Sequence, residues 1–516
     1  MRPSWRTQQF RAADHQDATA ALGMPEPWIN RAAVTGHLLL ILLVAVVLRI
    51  RGLDRYSLWY DEVVTMRLAR TANRAALILL LGQIDGTRAP LHPLILQGWI
   101  RLFGASELAG RSFSAVSGII TVLVVYRLGQ RLFDEPTGRW GAWFTAVCPP
   151  LVYYSQEARM YAWMVLLTCL SWLVFTEFRH AASSRSKVAY WLLLTGLVYS
   201  HPLGLFMVAA HGLAYRLVHR SLTLDFRSWL AIQVGVLLAI APWVPRYLDH
   251  GTDYPLPRYA IRFLLAVPIE YVGGNSLVLL ACSLIIAAGL FSPVGQRPRL
   301  TCPVESLVLL TWTIAPPVLM YLYSRVGRTI FGPPRYHLFI APAYLILLAR
   351  GLCNLPGPLR WAIAAGAFYL SLSMIDTNIY SQVVKADWRA FGQWLSHEVQ
   401  RGEVMAPKAP VTVVVHPSDP RFPRDQVEAA RYYLSPPHRV VLADGTGGAA
   451  ELTEPEAAIL NVYCLSAQQV RAGISNLSDT GFSAPIWQRV ATDWHQGVPE
   501  LYGLIVRRRL GHVSGR

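Results

Sequence analysis

The stretch LRIRGLDRYSLWYDEVVT, residues 48–65, runs from the end of the first long apolar segment to two adjacent acids, Asp61 and Glu62. Trp59 and Tyr60 directly precede this acid pair. Two carboxylates that follow so soon after an apolar segment of membrane-spanning character would lie at the surface of the bilayer. The stretch therefore predicts a catalytic site at a membrane face.

The composition indicates a membrane protein with several spans. Of the 516 residues, 53% are hydrophobic and only 15% are charged, and the mean hydropathy is +0.33. A soluble core of this size needs far less apolar surface. We therefore predict an α-helical polytopic membrane protein.

The apolar segments predict about eleven transmembrane helices, because a helix crosses the hydrocarbon core with about 20 mostly apolar residues. Two neighbouring segments share a boundary at the turn around Gly204. The predicted spans are Ala32–Leu48, Ser112–Leu132, Trp140–Tyr154, Tyr161–Phe178, Ala189–Phe206, Leu205–Leu217, Trp229–Tyr247, Ser276–Phe291, Glu305–Tyr323, His337–Leu352 and Trp361–Ile375.

Basic residues decide the predicted orientation, because Lys and Arg concentrate in cytoplasmic loops. Their distribution puts the N-terminus in the cytoplasm and the C-terminal region outside the inner (plasma) membrane. It also accounts for the net charge of +16, which we interpret as topology and contact with anionic lipids, with no nucleic-acid partner. The basic segments are the N-terminal tail, Arg127–Arg139, Arg179–Lys187, Arg216–Arg227, Arg297–Arg299 and Arg350–Arg360.

The apolar segment Pro90–Gly104 is an exception, since its roughly 15 residues are too few for a span. A span here would also carry Arg127 and Arg131 to the outside, against the charge rule. We predict a helix lying on the membrane surface instead. As a result, the charged candidates share the outer face: Asp61, Glu62, Arg88, Glu157, Arg159, His201 and Arg335.

Three regions follow from these patterns. They are a cytoplasmic tail over 1–31, a transmembrane catalytic domain over 32–375 with an outer loop 49–111, and an extracytoplasmic α/β domain over 376–516. In the last region strand and amphipathic-helix patterns alternate. Its predicted helices are 387–399, 424–434 and 467–477, and its predicted strands are 411–417, 438–443, 457–464 and 501–509.

Three smaller features complete the sequence analysis. The first apolar segment is expected to be an uncleaved insertion signal, because it starts late and lacks a small-residue cleavage site. The Gly cluster at 444–450 is expected to be a surface loop, since it lacks the context of a nucleotide-binding fingerprint. The six cysteines are scattered over spans and loops, so no structural disulfide is predicted.

Each candidate residue has a structural alternative. For Asp61 and Glu62 the alternative is a solvated loop, and for Glu157 with Arg159 it is an ion pair within one turn. Arg88 and Arg335 could each be interfacial arginines whose charged ends reach water. His201 lies before a Pro-containing turn, where an interfacial histidine is a better interpretation than a metal ligand.

Taken together, the candidates suit displacement at a sugar carbon whose leaving group is a lipid-linked phosphate. The outer face has no nucleotide sugars, so the donor would be a sugar carried on a polyprenyl phosphate. Asp61 would take the proton of an acceptor hydroxyl. Arg88, Arg159 and Arg335 would hold the phosphate as its negative charge grows.

Six strings, covering about Leu48 to Trp394, resemble in order the bacterial GT-C glycosyltransferases. The resemblance is closest to the dolichyl-phosphate-mannose-protein mannosyltransferase-like family and to the related aminoarabinose lipid A transferases. The acid pair in the first outer loop is its most specific element. The strings are SLWYDEVVT (57–65), the segment 90–133, YYSQEARMYAWMVLL (153–167), YSHPLGLF (199–206), PPRYHLFIAPAYLILLARGL (333–352) and KADWRAFGQWL (385–395).

The resemblance implies a GT-C-like fold, with Asp61 as catalytic base and Glu62 in support. Ala89 stands where the family often has a proline, which is a departure beside Arg88. A divalent metal cation is a further implied cofactor, for which the sequence names no ligands. The implied partners are the polyprenyl-phosphate sugar donor, a hydroxyl acceptor on a protein, lipid or glycan, and membrane lipids. The implied substrate-binding residues are Arg88, Glu157, Arg159, Tyr161, His201, Arg335 and Tyr336.

Two functions from other classes stay open. Charged residues in the cleft of a helical bundle also mark substrate paths, so a transporter or flippase of a charged lipid-linked substrate is the main alternative. The absence of an inverted repeat and the clustering of the charges at one face favour the enzyme. An assembly scaffold acting through the C-terminal domain would leave the acid pair unexplained.

Overall fold

The structure of the protein is a computed structural model. It describes most of the chain up to residue 377 and parts of the region beyond it. The described residues are 26–55, 57–248, 258–272, 274–290, 303–332, 334–377, 388–389, 392–393, 395–396, 411–416, 423–434, 439–442, 458–464 and 504–509. The predicted helix 467–477, the predicted loop 444–450 and the first 25 residues of the predicted tail 1–31 fall outside them, while residues 26–31 belong to a described helix.

Helices make up most of the described residues before 376. The α-helices are α1 Glu26–Ile50, α2 Tyr60–Ala69, α3 Arg74–Ile84, α4 Leu91–Phe103, α5 Glu107–Leu132, α6 Glu135–Val147, α7 Pro149–Ser155, α8 Tyr161–Glu177, α9 Ser184–Ser200, α10 Gly204–Val218, α11 Phe226–Ile240, α12 Val244–Leu248, α13 Arg262–Ala266, α14 Ser276–Leu290, α15 Val304–Val326, α16 Ala341–Cys353, α17 Gly357–Ile375 and α18 Pro423–Tyr433. Short 3₁₀ helices cover His219–Ser221, Ala241–Trp243, Val267–Val272 and Pro334–Ile340.

The described residues include five helices that are long and apolar enough to cross a membrane. A sixth candidate is the pair Arg262–Val272 and Ser276–Leu290, which is bent by 92°. The helical architecture of the prediction is confirmed, whereas the count of eleven spans stays a prediction. The five helices are Glu107–Leu132, Phe226–Leu248, Val304–Val326, Arg335–Cys353 and Gly357–Ile375.

The predicted surface segment forms helix α4, which has 13 residues. At 1.5 Å per residue it is about 20 Å long, so it is shorter than the hydrocarbon core. Helix α3 precedes it in the same outer loop and was not expected from the sequence. The asparagine at its N-cap, Asn73, accepts a hydrogen bond from Ala76 N–H.

The region after residue 376 contains a four-stranded sheet with the order β2–β1–β3–β4. The strands are β1 Val411–His416, β2 Arg439–Leu442, β3 Ala458–Cys464 and β4 Leu504–Arg509. Strand β1 pairs in parallel with β2 and β3, and β4 runs antiparallel to β3. These strands and α18 lie where the periodicity predicts them, while a separate outer domain over 376–516 stays a prediction.

Helix α2 contacts α5 at Gly110, where a glycine permits a close approach. A side chain at Gly110 would place its Cβ 2.5 Å from the sulfur of Met66. Met66 and Val63 are fully buried in the same apolar cluster as Leu96 of α4. The helix that carries the acid pair is therefore held against the bundle along one face.

Candidate active site

The acid pair opens helix α2. The N-cap residue Trp59 has an extended backbone, and its N–H donates to Oε2 of Glu62 at 3.3 Å. Glu62 thus acts as the third helical residue of a capping box, whose side chain accepts the N–H of the N-cap. Successive residues of a helix point about 100° apart, so the two acids face different directions. The side chain of Asp61 is 22% exposed and that of Glu62 is 0% exposed.

Glu62 is held inside the protein by Arg111 of α5. Arg111 Nε donates to Glu62 Oε1 at 2.7 Å, and Nη2 donates to Oε2 at 2.8 Å. Oε1 also accepts the N–H of Ala158 at 2.9 Å. Both carboxylate oxygens of Glu62 are thus engaged in buried hydrogen bonds, and its catalytic role stays a prediction.

Arg111 also ties down the segment that leads into α2. Its Nη1 donates to the carbonyl oxygen of Leu53 at 3.0 Å and its Nη2 to that of Ser57 at 3.1 Å. A bidentate arginine–carboxylate pair adds geometric specificity to its charge. The orientation of Asp61 follows from this arrangement, because the buried Arg111 binds both the adjacent Glu62 and the loop that precedes α2.

The carboxylate of Asp61 faces Arg335, which precedes α16. Arg335 Nη1 lies 3.5 Å from Asp61 Oδ2. The guanidinium carbon is 5.8 Å from the ring centre of Trp59 and 5.3 Å from that of Tyr336. Arg335 Nε is buried and has no hydrogen-bond partner among the described residues, while the side chain as a whole is 27% exposed and so remains accessible to a ligand.

Arg159 approaches α2 from the turn between α7 and α8. Its Nη1 donates to the carbonyl oxygen of Asp61 at 3.0 Å and to Thr65 Oγ1 at 2.8 Å. Burial lowers the pKa of Arg159, but the carboxylates of Asp61 and Asp85 raise it overall above the ordinary value for arginine. The site therefore holds a second, buried cation close to the acid.

Glu157 belongs to the same turn and is 2% exposed. Its carbonyl oxygen accepts the N–H of Arg159 at 2.7 Å, and its carboxylate forms a hydrogen bond with Tyr153. The described side-chain contacts of Arg159 run to α2. The turn therefore brings Arg159 to the backbone of Asp61, and no ion pair between Glu157 and Arg159 is seen among the described contacts.

The aromatic and histidine candidates are Tyr161, Tyr336 and His201. The ring of Tyr161 stands edge-on to Tyr154 at 5.3 Å, and the ring of His201 is 6.4 Å from that of Tyr336. His201 lies in the turn after α9, where its Nδ1 accepts the N–H of Leu203 at 3.0 Å. Tyr336 and His201 are therefore adjacent to the Arg335 cation.

Arg88 is held on another side of the outer loop. Its φ of +50° lies in the left-handed region that favours glycine. Trp243 Nε1 donates to its carbonyl oxygen at 2.7 Å, and its Nη1 lies 3.4 Å from the carbonyl oxygen of Arg246. These described contacts connect Arg88 to the segment around α12, while Arg159 and Arg335 are the arginines beside Asp61.

Comparison with known proteins supports this architecture. A model of the family described as dolichyl-phosphate-mannose-protein mannosyltransferase matches residues 87–245. ArnT from Cupriavidus metallidurans aligns over 93% of this chain and 99% of its own when bound to undecaprenyl phosphate, with 15% identity and a TM-score of 0.58. Its apo state aligns over 94% of this chain and 100% of its own, with 14% identity and a TM-score of 0.56.

The chain has the fold of the GT-C glycosyltransferases. This confirms the resemblance predicted from the outer-loop strings. The archaeal oligosaccharyltransferase AglB from Archaeoglobus fulgidus, in complex with an inhibitory peptide and a dolichol-phosphate, aligns over 79% of this chain and 65% of its own, with 13% identity and a TM-score of 0.48. No curated protein matches the sequence.

Two charged residues of this GT-C fold were missed by the sequence analysis. Arg111 lies one residue before the predicted span Ser112–Leu132, where a charge that is buried at the end of an apolar helix requires a partner, and that signal could have found it. Asp85 is 9% exposed, accepts hydrogen bonds from Thr87, and acts electrostatically on Arg159. Its loop position before Arg88 carried no comparable signal.

The implied divalent cation has no evident ligand set in the part of this GT-C fold that the structure describes. A metal ion is usually held by several His, Cys, Asp or Glu side chains that converge on one point. Among the described residues, no group of three or more such side chains comes together in this way. The divalent cation that the resemblance implies therefore stays a prediction.

Proposed function

We propose that the protein is a membrane glycosyltransferase that moves a sugar from a polyprenyl-phosphate-linked donor to a hydroxyl acceptor on the outer face of the membrane. The GT-C fold and the match to a mannosyltransferase family model support a lipid-linked sugar transfer. The structural neighbour bound to undecaprenyl phosphate supports a polyprenyl phosphate as the lipid. The acceptor is a protein, lipid or glycan of the cell envelope.

One observation carries the proposal, namely the pairing of Asp61 with Arg335. The two side chains are 22% and 27% exposed and lie 3.5 Å apart. A carboxylate that is only structural would be satisfied in the interior, as its neighbour Glu62 is. Asp61 instead keeps an open carboxylate next to a cation with unused donors, which is the combination that proton transfer beside a phosphate requires.

The proposed reaction is a single displacement. The Asp61 carboxylate accepts the proton of the acceptor hydroxyl while that oxygen forms a bond to the anomeric carbon of the sugar. The bond from this carbon to the phosphate oxygen breaks, and its electron pair leaves with the polyprenyl phosphate. Arg335 then stabilises the negative charge that grows on the phosphate, and Arg159 holds the backbone of Asp61 in place.

Arg88 is the second cation that we propose for the donor. Its left-handed backbone is a conformation that costs of order 1–3 kcal/mol for a non-glycine residue and that persists mainly at functional sites. Arg88 is 8% exposed, and Trp243, which donates to its carbonyl oxygen, packs on the apolar cluster that contains Leu77 and Leu81 of α3. A phosphate held here would let the prenyl chain remain among apolar side chains and lipid.

A cellular comparison tests the proposed function. In cells that lack the protein, an envelope glycan, lipid or protein is expected to be lighter by the mass of one sugar residue, as measured by mass spectrometry. Wild-type protein should restore that mass, and Asp61→Asn should not. Identical envelope profiles with and without the protein would contradict the proposal.

The donor-binding role of Arg335 predicts a loss of affinity. Arg335→Ala is expected to weaken donor binding by about tenfold or more, because a charge-assisted hydrogen bond is worth about 1.5–3 kcal/mol. Arg335→Lys should lose less, since it keeps the charge but not the planar fork. The measurement is the apparent donor Kd of folded protein in detergent or liposomes.

Two further variants complete this test. Arg88→Ala should weaken donor binding in the same way, whereas Arg325→Ala, which removes an exposed arginine of α15, should leave it unchanged. Unchanged donor affinity in both Arg335→Ala and Arg88→Ala would remove the phosphate clamp from the mechanism.

The proposed topology predicts a labelling pattern. A membrane-impermeant thiol reagent applied from outside should label Asp61→Cys and Ala450→Cys, and should reach Glu135→Cys only after permeabilisation. The reason is the alternation of basic loops, which assigns Arg127–Arg139 to the cytoplasm. Labelling of Glu135→Cys in intact cells, with protection of Asp61→Cys, would reverse the topology.

A further inference from the structure

Glu107 begins helix α5 and is the meeting point of two side chains from the C-terminal region. Tyr433, the last residue of α18, donates its hydroxyl to Glu107 Oε1 at 2.6 Å. Arg389 Nη1 lies 3.2 Å from Glu107 Oε2. The side chain of Glu107 is only 13% exposed. We call Glu107, Arg389 and Tyr433 the Glu107 junction.

Tyr433 and Arg389 also form hydrogen bonds with the backbone of the loop that leads into α2. The N–H of Leu58 donates to the Tyr433 hydroxyl oxygen at 2.6 Å. Arg389 Nη2 donates to the carbonyl oxygens of Asp54 and Arg55 at 2.9 and 3.0 Å. Both ends of the loop before Asp61 are thus fixed by residues that lie more than 300 positions later in the chain.

Apolar packing reinforces these polar contacts. One buried cluster contains side chains from α2 and its leading loop together with side chains from the C-terminal region. Arg67 of α2 forms an ion pair with Glu428 of α18, and Arg70 lies over the ring of Tyr432 at 4.8 Å. The buried members that meet here are Leu58, Val63, Met66, Trp388, Ala429 and Ala430.

We infer that the Glu107 junction is a positioning device for the active site, by which the C-terminal region sets the start of α2 and therefore the placement of Asp61. The inference rests on the proposed function, because it assigns Tyr433 and Arg389 to the geometry of the same reaction. Leu58 lies three residues before Asp61, so a shift of its backbone moves the carboxylate directly.

The chemistry of Tyr433 fits this role. Burial raises the pKa of its hydroxyl, and the hydrogen bond to Glu107 raises it further. The hydroxyl therefore stays protonated, which lets it donate to Glu107 and accept from Leu58 at the same time. Leu58 is completely buried, so loss of that acceptor leaves its N–H without a partner and favours a displaced loop.

The adjacent tyrosine provides a matched control. Tyr432 is on the same helix and its ring packs on Arg70, yet its hydroxyl has no hydrogen-bond partner among the described residues. Tyr433→Phe and Tyr432→Phe therefore make the same chemical change, and only the first removes the junction.

The test combines hydrogen exchange with kinetics on the full-length protein. In Tyr433→Phe, the peptide that covers residues 53–69 should exchange its amide hydrogens about tenfold faster, because a buried hydrogen bond is lost. Its kcat should fall by about tenfold while the donor KM stays unchanged, since Arg335 and Arg88 are untouched. Tyr432→Phe should behave like the wild type in both measurements.

The possible results distinguish a failure of the Glu107 junction from a failure of the proposed function. Equal exchange of residues 53–69 in Tyr433→Phe and in the wild type would overturn the inference, whether or not the protein transfers sugar. Faster exchange with an unchanged kcat in a protein that does transfer sugar would also overturn it. A wild-type protein that consumes no donor would count against the proposed function, and the exchange measurement would still decide whether the junction holds α2.

Discussion

Asp61→Asn is expected to lower the rate of sugar transfer by about 10²- to 10⁴-fold, because general-base catalysis typically contributes that much. Asparagine keeps the shape of the side chain but cannot accept the proton of the acceptor hydroxyl. The backbone contacts of Asp61 with Arg159 and Thr65 use its carbonyl oxygen, so they survive the change. The measurement is the initial rate of transfer from a radiolabelled donor at saturating concentration.

A neighbouring aspartate gives the control for this prediction. Asp54 is exposed in the same outer loop, and its carbonyl oxygen rather than its side chain contacts Arg389. Asp54→Asn should therefore transfer sugar at the wild-type rate. If folded Asp61→Asn were as active as Asp54→Asn, Asp61 would have no role as the base.

Glu62→Gln is expected to have the second large effect, and to act on the folded state. Removing one partner of a buried ion pair typically costs about 3–5 kcal/mol, because the other charge is left uncompensated. Here Arg111 would remain 2% exposed between Leu53 and Ser57. The measurement is the unfolding midpoint and the yield of folded protein in detergent.

Two variants separate this stability effect from chemistry. Glu135→Gln breaks an ion pair with Arg139 whose side chains are 26% and 32% exposed, and it should cost only about 0–1 kcal/mol. The double variant Glu62→Leu with Arg111→Met removes both charges and should recover much of the stability that Glu62→Gln loses. A Glu62→Gln protein as stable as Glu135→Gln, but without activity, would instead assign Glu62 to the chemistry.

The clustering of the charged candidates was largely predictable from the sequence, while the different burial of the two adjacent acids was not. Asp61, Arg159 and Arg335 are brought together as the charge pattern indicates. Which acid faces the cleft depends on the residue at which α2 begins and on the packing of Arg111. A pattern of adjacent carboxylates contains neither piece of information.

The C-terminal region illustrates the same limit. Local periodicity predicted β1 and α18, because alternating Val residues and an amphipathic spacing are local signals. The contact between Tyr433 and Glu107 joins residues 326 positions apart. Such a contact depends on how α2, α5 and α18 pack, which no local pattern encodes.

The span count stays a prediction, and the reason is physical. Short and broken helices such as α7, with 7 residues, and the bent pair around α14 interrupt the apolar segments. A hydropathy pattern records apolar composition, but it does not record where a proline or a turn ends a helix. Composition therefore predicted the helical class and left the number of crossings open.

Donor consumption by the purified protein is the measurement that tests the central claim most directly. Wild-type and Asp61→Asn proteins in liposomes would be mixed with a radiolabelled polyprenyl-phosphate sugar and an envelope extract as the source of acceptors. We predict equal donor binding by the two proteins, with release of polyprenyl phosphate and sugar transfer by the wild type alone. A donor that crosses the bilayer and stays intact with both proteins would contradict the enzyme and favour a flippase.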